Sequence, residues 1–179
     1  MNTIELKMIP KHSDDIGILE QINEEAIPAC ERNSLNDMRS TGAEIIGIYA
    51  DHLPVGFLVI RTHAQICYLA YLAVEKSLRS GGIGGRAIRA FLDAYKDYQI
   101  VVEFKAPESP CSPNDIKRFY MRNGFYETGW FTYYDETEFE IGCSQPVFDI
   151  SGFQDFTDYL NTVISDHIPK PYRKDNPPL

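Results

Sequence analysis

Four glycines fall within Gly81–Gly85, where the residues that follow ask for a helix to begin. Glycine inside a helix is about 0.8–1 kcal/mol less favourable than alanine, so this cluster points to a need for bare backbone. Uncovered peptide N–H groups at a helix N-terminus hold anions, and the helix dipole reinforces them. Lys76, Arg79, Arg86 and Arg89 surround the glycines with no acid among them, in a chain of net charge −9. Such a run suits a ligand carrying several phosphates. A solvated basic helix face beside a flexible loop is the plainer alternative.

Three phosphate-binding patterns compete for this loop. A P-loop needs Gly-Lys-Ser/Thr after the glycines, and Gly85 is followed by Arg86-Ala87, so that pattern fails. The dinucleotide fingerprint is closer. Gly82-x-Gly84-x-x-Ala87 matches it, and Glu103 ends the next strand about 20 residues on. Against it, seven residues separate Val74 from Gly82, and the preceding strand belongs to an antiparallel meander rather than to a parallel sheet.

The elements that must position the loop follow from periodicity. Residues 3–9 alternate and predict a strand. Ser13, Asp14 and Asp15 open a helix running to about Cys30, with Ile16, Leu19 and Ile22 inward. Residues 33–42 read as a short helix or loop. Strands follow at Glu44–Ala50, Val55–Thr62 and Ile66–Val74, the first two joined by a turn at 51–54. Connections this short force antiparallel pairing. A helix then runs to about Lys96 with Ile83, Ala87, Ile88, Phe91, Leu92 and Tyr95 on one face. Gln99–Lys105 is a strand. Ser112-Pro113 starts a helix that Asn123-Gly124 ends. Phe125–Tyr134 is strand-like, a further strand is expected around Val147–Ile150, and a helix around Phe153–Ile164. Residues 1–168 make one domain, and the Pro-rich 169–179 a loose tail.

The third pattern fits best. Leu72-Ala73-Val74, a short loop, then Arg79-x-x-Gly82-x-Gly84 resembles the acetyl-CoA-binding signature of the GCN5-related N-acetyltransferase (GNAT) family. Phe119-Tyr120-Met121-Arg122-Asn123-Gly124-Phe125 resembles that family's later F-Y-x-x-x-G-F motif. The resemblance covers about residues 44–134 and implies an α/β fold with a mixed, largely antiparallel sheet of six or seven strands flanked by helices. It also implies that Ile66–Val74 splays from Gln99–Lys105, the cofactor lying in the gap.

Residue by residue, the resemblance implies that Arg79, Ser80, Gly81, Gly82, Ile83, Gly84 and Gly85 surround the CoA pyrophosphate. Backbone groups of Leu72, Ala73 and Val74 would pair with pantetheine, and the Val74 N–H would face the oxyanion. Tyr120 falls on the Tyr expected to protonate the leaving thiolate; alone it would read as an aromatic on a buried helix face. Relatives that carry a strand base have it four residues before the L-A-V triplet, which here is Tyr68, no base at neutral pH. Glu103 is the better candidate, since apolar Val101 and Phe104 favour a raised pKa, with an ordinary edge carboxylate or a water chain as alternatives. His63 reads as a surface turn residue. An Asn often lies seven residues before the motif Tyr. Here Pro113 does, and Asn114, six before, either contacts the cofactor or serves the helix start.

The acceptor would be a small-molecule amine. Trp130-Phe131-Thr132-Tyr133-Tyr134-Asp135-Glu136 offers aromatics and acids that could cage a cation or simply pack a core. The acidic balance argues against nucleic acid. No apolar run approaches a membrane span, and the N-terminus lacks a signal-peptide core. The four cysteines show no metal or disulfide spacing, so no metal and a cytoplasmic location are expected. Relatives often dimerise, and 145–168 is the candidate contact for a homodimer. An inert acyl-CoA-binding sensor or partner module of the same fold is the competing functional class.

Overall fold

The computed structural model describes residues 3–29, 31–106, 114–134, 136–164 and 168–175. Its strands are β1 (Ile4–Met8), β2 (Glu44–Ala50), β3 (Leu53–His63), β4 (Ile66–Val74), β5 (Gln99–Lys105), β6 (Tyr126–Tyr134) and β7 (Thr137–Cys143). Its helices are α1 (Ile16–Ala26), α2 (Leu35–Ser40), α3 (Ile83–Ala94), α4 (Asn114–Arg122) and α5 (Ile150–Val163). The sheet has seven strands in the order β1-β2-β3-β4-β5-β7-β6. The β1–β2, β2–β3, β5–β7 and β6–β7 pairs are antiparallel and β4–β5 is parallel. The mixed, largely antiparallel sheet anticipated from the sequence is therefore present. The parallel pair follows from the α3 crossover, since two parallel strands cannot be joined by a tight turn.

Two compact units divide the chain: Met1–Arg61 with Leu69–Ala94, and Thr62–Tyr68 with Tyr95–Leu179. In the first, Leu19 and Ile22 of α1 and Leu35 and Met38 of α2 share a core with Ile45, Phe57, Val59 and Ala73 of the strands. Helix α1 stops at Ala26 because Ile27 precedes Pro28 and is extended, φ −105° and ψ 127°. Ser34 caps α2 by accepting from the Asp37 N–H at 3.0 Å. The β2–β3 turn is tighter than expected. Asp51 and His52 both take positive φ, 50° and 69°, as a two-residue hairpin turn demands, so β3 resumes at Leu53.

In the second unit, Ile66, Val101 and Ile141 pack with Phe153, Phe156 and Leu160 of α5. The register pairs joining β4 to β5 are Ile66↔Gln99, Cys67↔Ile100 and Tyr68↔Val101, the first three residues of each strand. Helix α4 ends as its sequence announces: Gly124 takes φ +100° and the Phe125 N–H donates to the Tyr120 carbonyl at 3.2 Å. The Ser112-Pro113 helix start lies outside the described residues.

Two expectations need correction. No strand forms at Val147–Ile150; Val147 is 81 % exposed and Asp149 caps α5 by accepting from the Gly152 N–H at 3.0 Å. The last strand is β7, where Phe139, Ile141 and Cys143 alternate with Glu138, Glu140 and Gly142. Glu140 is buried there because Lys117 of α4 reaches both its oxygens at 2.8 Å. Nor is all of 169–179 loose. Tyr172 exchanges two 2.8 Å backbone hydrogen bonds with Phe131 of β6, and its hydroxyl donates to Glu138 at 2.6 Å.

Gly56 of β3 sets the position of the end of β4. A Cβ there would lie 2.3 Å from the Ala73 carbonyl oxygen and 3.2 Å from the Val74 Cα, and neither backbone atom can yield cheaply. Gly56→Ala is expected to cost about 1–3 kcal/mol in denaturant unfolding. Gly17→Ala in α1, where a Cβ meets nothing within 4 Å, is expected to gain up to about 1 kcal/mol in the same measurement.

Candidate active site

The first unit carries the Gly-rich loop. After Val74 the chain makes one 3-10 turn, Lys76–Leu78, tied back by Glu75 N–H to the Val55 carbonyl at 2.9 Å. Arg79 donates from Nε to the Val74 carbonyl at 3.0 Å, closing the loop on the strand it left. Ser80 and Gly82 both adopt left-handed backbone, φ 66° and 77°. For Gly82 this conformation is free; for Ser80 it is uncommon. Helix α3 then starts at Ile83, with Ile83, Ala87, Ile88 and Phe91 buried as their spacing predicts.

The loop and the first turns of α3 enclose an open hollow of about 590 Å³. Arg79, Gly81, Gly82 and Ile83 line it as the sequence suggests, joined by Ser77 and Leu78 and by Arg86 and Arg89 of α3. Gly84 and Gly85 lie in the first turn of α3, and Ser80 is exposed. Three guanidinium groups at the positive end of a helix dipole suit a polyphosphate. Ser77 and Leu78 carry no recognisable signal in the sequence; they line the hollow because the 3-10 turn folds them towards it.

The second unit holds Tyr120 and Glu103. The Tyr120 ring stacks on Phe104 of β5 (centroids 6.1 Å apart, 18° between planes) and meets Phe119 and Phe125 edge-on, each at 5.3 Å. Among the described residues its hydroxyl has no hydrogen-bond partner, and burial pushes its pKa up. The phenol therefore stays protonated at neutral pH. Lys117, one turn earlier on α4, is ion-paired to Glu140 at 2.8 Å and Glu127 at 2.9 Å, which pins the helix that carries Tyr120. Asn114 opens α4.

Glu103 is half-buried and faces two hydroxyls. Tyr68 donates to Oε2 at 2.6 Å, and Thr132, fully buried on β6, donates to Oε1. Burial raises the Glu103 pKa above the usual carboxylate value, and the bonds from Thr132 and Tyr68 only partly offset it. Successive side chains on a strand point to opposite faces. Glu103 therefore shares a face with Val101, which packs on α5. Phe104, under Tyr120, lies on the other.

Tyr68, dismissed as a base from its type alone, is thus joined to the carboxylate that replaces it. His63 stacks on Tyr159 at 4.0 Å, 7° from parallel. The aromatics of 130–134 divide between the faces of β6: Trp130 packs on the α5-side core, whereas Tyr133 is 52 % exposed. Thr132 is the member that reaches Glu103, and Asp135 lies outside the described residues. Among the described residues no cluster of His, Cys, Asp or Glu could hold a metal ion, and no helix is long and apolar enough to cross a membrane.

The acetyltransferase (GNAT) domain profile matches residues 41–127. Among solved structures, a GNAT-family protein of Bacteroides thetaiotaomicron superposes with a TM-score of 0.72 at 21% identity, over 89% of this chain and 97% of its own. A GNAT acetyltransferase of Elizabethkingia anophelis with acetyl-CoA bound gives 0.60 at 16% identity, over 79% and 97%. A Bacillus subtilis acetyltransferase in complex with CoA gives 0.59 at 14%, over 79% and 97%. No curated protein sequence matches the chain.

The raised Glu103 pKa makes a stability prediction. Folded protein holds that proton more tightly than unfolded chain, whose carboxylate titrates near the ordinary 4.5. The contribution to stability is full below that pH and is lost as pH rises through the higher folded value. Urea unfolding of the wild type and Glu103→Gln across this range is expected to show the wild type losing stability relative to the variant as pH rises. A relative gain would contradict the assignment.

Proposed function

Residues 41–127 belong to the GNAT acetyltransferase domain family, and from that premise we propose that the protein transfers the acetyl group of acetyl-CoA to the primary amine of a small acceptor. The observation that carries this reading is a protonated phenol and a carboxylate of raised pKa on opposite faces of β5. Direct transfer needs a proton removed on the side from which the amine attacks and one supplied where the thiolate leaves.

In this reading the hollow at Arg79, Gly82, Arg86 and Arg89 binds the pyrophosphate, with the α3 dipole behind it. The backbone of Leu72–Val74 pairs with pantetheine as an added strand would, and the Val74 N–H stabilises the oxyanion. Glu103 takes up the ammonium proton, freeing the nitrogen lone pair. The C–N bond forms, the C–S bond breaks, Tyr120 protonates the departing sulfur, and the proton the new amide nitrogen sheds passes through solvent to restore the phenol. The chain's net charge of −9 favours a cationic acceptor through long-range attraction. Four cysteines without disulfide or metal spacing fit a reducing, cytoplasmic setting.

The test is thiol release from acetyl-CoA with a panel of small primary amines. Tyr120→Phe keeps the ring packing and removes only the acid, so its kcat is expected to fall about 100-fold or more with CoA affinity within about threefold of wild type. A variant with undiminished kcat would remove Tyr120 from the chemistry. A wild type that binds acetyl-CoA and acetylates none of the amines would favour an inert binding module.

A further inference from the structure

The hydrogen bonds of Glu103 restrict how a proton can reach it. Both carboxylate oxygens accept from hydroxyls, Oε1 from Thr132 and Oε2 from Tyr68. Thr132 is fully buried and leads nowhere. Tyr68 is half-buried, its ring lying against Phe153 and Phe156 of α5 at 6.5 and 5.7 Å.

Among the described residues, the neighbours on that face of the sheet are these. Ile141 is its partner on β7, and the Cys143 thiol beyond it is pushed up to about 11 by burial. Lys105 is the cation on that face of β5. The acids of α5, Asp155 and Asp158, are exposed.

Resting on the transfer reading above, we propose that the Tyr68 hydroxyl relays the acceptor's proton to Glu103. As the ammonium N–H proton passes to the Tyr68 oxygen, the Tyr68 O–H proton passes to Glu103 Oε2. The amine is left with its lone pair, Tyr68 is neutral again, and Glu103 has become the carboxylic acid. After acetyl transfer Glu103 returns the proton to solvent by the same hydroxyl. A phenol is a poor base by itself, but a hydroxyl that gives one proton as it takes another need never carry charge. The position that held no base in the sequence thereby becomes the point of contact with the acceptor.

The test is the pH profile of kcat/KM for one amine, from about pH 5 to about pH 9, in wild type, Tyr68→Phe, Thr132→Val and Glu103→Gln. The acid limb of the wild-type profile reports the carboxylate. Each lost donor removes stabilisation from its charged form, so Tyr68→Phe and Thr132→Val should both move that limb to higher pH. Tyr68→Phe alone also breaks the relay, and its plateau should fall about 100-fold, far more than that of Thr132→Val. Glu103→Gln should abolish the limb. A Tyr68→Phe plateau within about threefold of wild type, with its limb moved, would overturn the relay and make Glu103 the direct base. Limbs unmoved in both variants would remove Glu103 from proton transfer. Those results assume wild-type turnover; acetyl-CoA binding without turnover of any amine would instead overturn the transfer reading and the relay with it.

Discussion

A strand sends successive side chains to opposite faces, and the chemistry proposed here depends on that constraint at one strand. β5 presents Val101 and Glu103 to one side and Val102 and Phe104 to the other. Helix α5 covers the first side through Phe153 and Phe156. Helix α4 covers the second, where Tyr120 stacks on Phe104 and Met121 approaches Gly142 of β7. A one-residue slip of β5 would exchange the faces and put carboxylate and phenol on the same side. The register is held by five antiparallel pairs with β7, from Val101↔Cys143 to Lys105↔Phe139.

Polar groups within this sheet are tolerated because each has a partner. Glu140, buried on β7, is matched by Lys117; burial pulls the lysine's pKa down, and its hydrogen bonds to Glu140 and Glu127 together with their charge push it up by more. Breaking such a pair leaves an uncompensated buried charge, so the orientation of α4 is fixed electrostatically as well as by aromatic packing. Glu103 is treated differently. It has hydroxyl donors rather than a cation, which leaves its pKa raised. A structural carboxylate is better served by the Glu140 arrangement; a carboxylate meant to exchange protons is better served by that of Glu103.

What the sequence made legible was local. The glycines and arginines of 76–89, the α3 face and the Asn123-Gly124 stop each depend on residues within a turn or two of one another. What it hid was set by distance along the chain. Tyr68 lies 35 residues from Glu103 and Thr132 lies 29, so no local pattern joins them. β7 carried a readable period-2 alternation, Phe139, Ile141 and Cys143 against Glu138, Glu140 and Gly142; what stayed hidden there was the burial of Glu140, made tolerable by Lys117, 23 residues away. The docking of Tyr172 on β6 was hidden likewise, since a Pro-rich, charged segment reads as solvated until an open strand edge is there to receive it.

The central claim is that the Arg79–Gly85 loop and α3 form a CoA site, and thermal unfolding with acetyl-CoA, free CoA and NAD in parallel tests it most directly. At about 100-fold excess over Kd a ligand of the native state adds about 2.7 kcal/mol, a shift of several degrees for a domain of this size. The expected result is stabilisation by acetyl-CoA and CoA and none by NAD. Stabilisation by NAD alone would contradict the claim and make Gly82-x-Gly84-x-x-Ala87 a dinucleotide fingerprint instead.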